Sequence, residues 1–188
     1  EAVEIFHQPA TTDGDSIVLF RRSDVISTGD IFDPTQYPII DVKTGGSLQG
    51  VLQGLNRLRQ MAIPADHVEG GTMIVPGHGP IGGKKELAEM ANYFRVLGVE
   101  ARKRFDAKMT PGAAAAEIRL GRFDNWIGPE RLLMDVVRWY EEWDGSLTPD
   151  YNAGAVREAT IEYNQIKAGA KKLGQIIPLE RMVALAVA

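Results

Sequence analysis

The first half of the chain alternates short apolar runs with turn-forming segments. Residues 2–6 are apolar, Ser16–Phe20 reads S-I-V-L-F and residues 24–27 read D-V-I-S, so each predicts a strand. The polar stretch Arg21-Arg22-Ser23-Asp24 is short enough to close a hairpin. After Gly45-Gly46, Ser47 stands as the N-cap of a helix in which Leu48, Val51, Leu52, Leu55 and Leu58 recur at helical spacing. Residues 72–75, T-M-I-V, predict a further buried strand, and residues 84–97 an amphipathic helix. Strand, helix, strand, helix in that order predicts an α/β layer arrangement over residues 1–98.

From residue 99 the pattern turns helical. Thr110-Pro111 predicts an N-cap followed by proline at the first helical position, opening G-A-A-A-A-E-I-R-L. Gly128-Pro129-Glu130 opens a second helix, with Leu133, Val136, Val137 and Tyr140 on one face. Residues 150–172 predict a third and residues 178–188 a fourth, ending in M-V-A-L-A-V-A. Residues 99–188 therefore form a helical extension.

Composition narrows the function classes. At 188 residues, 44% apolar and 24% charged, the chain is an ordered globular protein with room for one domain and an appendage. A net charge of -4 argues against a nucleic-acid partner. No apolar run reaches the roughly 18 residues of a membrane helix. With no cysteine, disulfides, thiolate metal sites and cysteine nucleophiles are excluded. Glu1 in place of Met implies a processed or excised chain, so targeting and localisation cannot be read.

Three segments place polar residues just after a strand, where α/β sheets hold their sites. They are H-Q-P-A-T-T-D-G-D from His7 to Asp15, S-T-G-D ending at Asp30, and V-P-G-H-G-P around His78. Gly77 and Gly79 let the backbone around His78 turn and approach a ligand closely. An imidazole and a carboxylate brought together make a zinc or iron half-site. Taken singly, each segment also reads as ordinary turn composition.

Taken together, T-D-G-D-S-I-V-L-F, T-G-D-I-F, Y-P-I-I-D-V-K-T-G-G-S-L-Q-G and I-V-P-G-H-G-P resemble, in order, the metallo-β-lactamase fold superfamily. The likeness is to glyoxalase II-like hydrolases, and it covers residues 1–98. It implies the second half of an αββα sandwich, followed by the helical extension. Asp30 then corresponds to the carboxylate bridging two zinc ions and orienting the attacking water, and His78 to the last histidine ligand. Asp13 and Asp15 correspond to the turn behind the first metal. Two departures accompany the likeness. Thr11 stands where that family has a ligating histidine, with His7 four residues upstream, and the family's His-x-His-x-Asp-His motif is missing.

The resemblance implies a zinc-dependent hydrolase, or a fragment of one, acting on an ester, thioester or amide of a small molecule. The alternative is a metal-free half-fold acting in binding or assembly. Half a sandwich leaves one sheet face open, to be covered by a second copy in a homo-oligomer, by a partner chain, or by the C-terminal helices with Trp126, Trp139 and Trp143.

Overall fold

The computed structural model describes residues 2–67, 70–148 and 153–169, and it is a mixed α/β structure. The alternating segments become strands β1 (Val3–His7), β2 (Ser16–Phe20), β3 (Val25–Gly29) and β4 (Met73–Pro76). They form one sheet in the order β1-β2-β3-β4. The first two pairings are antiparallel and β3 runs parallel to β4. A parallel neighbour requires a crossover, and α1 (Leu48–Met61) lies in that connection. Ser47 caps it, its hydroxyl accepting from the Gly50 N–H at 2.9 Å.

Strand register sorts the side chains into two faces. Phe6, Ile17, Leu19, Ile26 and Ile74 share one face, on which Ile17, Ile26 and Ile74 are fully buried. The other face carries the row Val3–Phe20–Val25–Met73 and, beside it, Ile5–Val18–Ser27–Val75. None of these eight side chains is buried. The core of this first compact unit, Glu1–Phe94, lies on the buried side, where Leu48, Val51, Leu55 and Leu58 of α1 are shielded from water.

Helix α2 (Lys84–Asp106) is longer than its sequence pattern predicts. The periodicity suggests an end at Leu97, before Gly98, but the helix runs through this glycine. Leu87, Met90, Tyr93, Phe94, Leu97 and Ala101 are all buried along one stripe. Extending that stripe outweighs the roughly 1 kcal/mol a mid-helix glycine costs. The division between the compact units falls inside α2, between Phe94 and Arg95.

The second unit, Arg95–Ala188, contains α3 (Pro111–Glu117), α4 (Arg131–Asp144) and α5 (Ala153–Gly169). Helix α3 stops before the Ile118-Arg119-Leu120 expected to belong to it, and a short 3-10 turn over Gly121–Asn125 follows. Thr110 precedes α3 without capping it; its hydroxyl donates instead to the Glu162 carboxylate on α5. Gly112 lets α3 and α5 touch, since a Cβ there would stand 2.5 Å from the Ala159 carbonyl oxygen. Helix α4 is central, with residues 132–140 buried on every side. The fourth helix expected over residues 178–188 lies outside the described residues.

Tyr140 on α4 is buried, and its hydroxyl finds no hydrogen-bond partner among the described residues. Burial pushes its pKa up to about 12, opposed in part by the Arg104 guanidinium. Because the folded pKa lies above the unfolded value near 10, the folded state holds the proton more tightly there. That contribution to stability is complete below pH 10 and is lost as the pH climbs toward 12. Tyr140→Phe removes the ionisation and leaves no new unpaired group. It should flatten the fall in melting temperature between pH 10 and 12, with little change at pH 7. Parallel curves for the two proteins would show that Tyr140 does not contribute to that fall.

Candidate functional site

Asp30 and His78 are 48 residues apart in sequence and meet in space. Each follows one of the two parallel strands, at its C-terminal end. His78 Nδ1 lies 2.7 Å from Asp30 Oδ1. The two loops are tied by the Gly77 N–H, which donates to the Gly29 carbonyl at 2.8 Å. Thr28, fully buried, anchors the same corner by donating to the Val75 carbonyl at 3.3 Å. Two glycines are needed here for different reasons. Gly29 has φ +53°, and a Cβ on Gly77 would collide with the Asp30 carboxylate. The pair is open to solvent, with 72% of the His78 side chain and 54% of the Asp30 side chain exposed.

One further carboxylate, Asp33, stands beside this corner and was not singled out from sequence. A Cβ on Gly79 would lie 3.0 Å from Asp33 Oδ1. Asp33 is buried and occupied: it accepts from the Thr35 N–H and hydroxyl at 3.0 and 2.9 Å, and from Gln36. The run D-P-T-Q carries the signal, an Asp opening a turn through its own side chain.

The other predicted residues form a separate knot after β1. The Asp15 carboxylate accepts from the Thr11 N–H and hydroxyl, both at 2.7 Å, and from the Thr12 N–H and hydroxyl, both at 3.1 Å. Thr11 is only 5% exposed. His7 Nε2 sits 2.5 Å from the Asp13 carbonyl oxygen, and the Asp13 N–H donates to the Thr44 carbonyl. His7 and Asp13 are thus engaged through the backbone of this turn. Asp15 organises the loop.

Among the described residues, Asp30 and His78 do not complete a zinc centre by themselves. Structural and catalytic zinc sites have three or four protein ligands, and Asp30 with His78 supplies two. The Thr11 hydroxyl, a poor donor to zinc in any case, is committed to Asp15. Among the described residues no three His, Asp or Glu side chains gather as a metal-holding group. His67, the third histidine, sits in a turn of its own, its N–H donating to the Pro64 carbonyl.

A concave region of about 1180 Å³ lies at the opposite end of the parallel strands, lined by Asp24, Thr72, Met73 and Lys84 among others. It does not include Asp30 or His78. Among the described residues no helix is long and apolar enough to cross a membrane. The chain matches no protein-family model and no curated protein.

Proposed function

We propose that residues 1–98 are the second half of an αββα metallo-β-lactamase-type sandwich, and that the chain carries part of a hydrolase site. The observation behind this reading is the 2.7 Å contact between Asp30 and His78, drawn from two separate strand ends. With Nδ1 engaged by the carboxylate, His78 Nε2 is the nitrogen left for a water or a substrate. Asp30 fixes the orientation of the ring, and Nε2 takes a proton from the water that attacks the carbonyl carbon of an ester, thioester or amide of a small molecule, then gives it to the departing alcohol, thiol or amine as the C–O, C–S or C–N bond breaks. A zinc ion, where bound by Asp30 and His78, would supply Lewis-acid activation of the water in place of proton removal by Nε2. Its further ligands would have to come from a segment or chain beyond the described residues.

A second reading, a metal-free protein of binding or assembly, draws on one observation. Thr11 is locked into the Asp15 knot, so the position of a missing ligand has become a structural one.

Elemental analysis for zinc, paired with intact mass and a screen of ester, thioester and amide substrates, separates the two. On the hydrolase reading, Asp30→Asn and His78→Ala each reduce turnover at least about a hundredfold, the lower end of what general-base catalysis contributes. Both side chains are exposed, so stability should shift by no more than about 0.5 kcal/mol. Zinc-free protein without turnover on any of these substrates would leave the second reading standing.

A further inference from the structure

The side chains of Asp30 and His78 have only each other. Their contact at 2.7 Å is open to solvent, and among the described residues neither makes a second side-chain hydrogen bond. Water competes for both partners. The pair therefore meets only where two backbones bring it within hydrogen-bond reach.

Strand β3 does this through an irregularity. Ser27 is level with Val75 and Gly29 with Pro76, so β3 advances two residues while β4 advances one. Thr28 is the extra residue of a β-bulge, a feature that bends a strand and re-aims the side chains that follow. In an unbroken parallel register Asp30 would stand level with His78. The bulge places it against Gly77 instead, and the carboxylate reaches His78 across the space that a Gly77 Cβ would fill.

Thr28 fixes this offset from two sides. Its carbonyl accepts from the Ile31 N–H at 3.4 Å, closing the turn that carries Gly29 and Asp30. Its hydroxyl, fully buried, has one proton to share between the Gly29 carbonyl at 3.1 Å and the Val75 carbonyl at 3.3 Å. Val75 lies on the strand that leads to His78. One residue thus ties the turn of Asp30 to the strand of His78. We propose that Thr28 is the positioning residue of the pair: its hydroxyl holds the two strand ends in the offset that aims the Asp30 carboxylate at His78 Nδ1. What the aimed pair does chemically rests on the hydrolase reading; how it is aimed does not.

A hydroxyl that only completes the core would change stability when removed and leave the His78 ring as it was. A positioning hydroxyl changes the ring. Facing a carboxylate, which only accepts, Nδ1 carries the proton of neutral His78. Nε2 is then the unprotonated nitrogen, able to take a proton from water. Loss of the aim releases Nδ1 and lets the proton settle on Nε2.

Long-range proton–nitrogen NMR of the imidazoles, in mildly alkaline buffer, reads which nitrogen holds the proton. His78→Ala assigns the signal, and His7, whose Nε2 faces the Asp13 carbonyl, is an internal reference for the opposite tautomer. The parent protein should show His78 protonated on Nδ1. Thr28→Val should lower the ratio of Nδ1–H to Nε2–H at least about fivefold, the size of one typical hydrogen bond. Thr28→Ser, which keeps the hydroxyl, should retain the parent ratio. Where the parent hydrolyses a substrate, Thr28→Val should lower kcat with KM nearly unchanged, because the pair acts on the water. A parent without turnover counts against the hydrolase reading and leaves the NMR comparison intact. An unchanged ratio in Thr28→Val, an equal change in Thr28→Ser, or a parent His78 with no preference for Nδ1 overturns the positioning role. Should melting curves show Thr28→Val unfolded, Thr28→Ala is read in the same way; failure of both to fold makes Thr28 a residue of the fold alone and overturns the role as well.

Discussion

Gly46→Ala is expected to destabilise the protein by about 3 kcal/mol or more, the largest loss foreseen for so small a change. The cause is space, not backbone conformation. A Cβ at Gly46 would overlap the Thr11 carbonyl and lie 2.7 Å from the Asp41 carbonyl oxygen. Both carbonyls are already in use: Thr11 O accepts from the Asp41 N–H at 2.9 Å, and Asp41 O from the Gly46 N–H at 2.8 Å. Next to them the Ser47 N–H donates to the Ala10 carbonyl at 2.9 Å. The methyl group cannot enter without parting the loop after β1 from the segment that starts α1. Gly145→Ala makes a useful contrast. Gly145 has φ +78° and open space around it, so alanine there meets only the left-handed backbone penalty of about 1 kcal/mol. Urea unfolding of the two variants beside the parent protein gives the comparison. Equal losses would mean that the junction yields easily and does not fix the two segments against each other.

How far sequence reveals this structure depends on the range of the interactions. The S-I-V-L-F strand and the Ser47 cap were legible because alternation and capping act within a few residues. The T-G-D and P-G-H-G segments were legible as loops following strands. Their meeting was suggested only by the resemblance, since nothing within either segment states which strand lies beside which. Long-range contacts overrode the local rules elsewhere. Helix α2 passes through Gly98, where a Cβ would lie 3.5 Å from the Trp139 ring, so the helix runs past Leu97 with its glycine facing a neighbouring helix. Thr110 has the composition of a cap, but Glu162, 52 residues away, takes its hydroxyl. The Asp15 knot is the opposite case: the pattern T-T-x-x-D is wholly local and could have been read as a side-chain-closed turn.

That knot carries the second large effect, expected from Asp15→Ala at about 2–4 kcal/mol. One carboxylate accepts four hydrogen bonds here, two of them from backbone N–H groups. Truncation leaves the N–H and hydroxyl of a buried Thr11 without an acceptor. Asp15→Asn should fall between, because its amide oxygen can serve one side while its NH₂ meets donors on the other. The same geometry bears on Thr11→His, the change that restores the residue type of the resembling hydrolases. An imidazole cannot fit a 5% exposed position and keep both bonds to Asp15. It should therefore cost stability of similar size and bring no zinc affinity by itself. Urea unfolding of the three variants and zinc titration calorimetry of Thr11→His check this. Tight zinc binding by a stable Thr11→His protein would mean that the loop opens readily and that its remaining ligands lie within reach. A loss under about 0.5 kcal/mol in Asp15→Ala would mean that water satisfies the Thr11 and Thr12 donors, and that the loop is held by its backbone bonds to residues 41–47 alone.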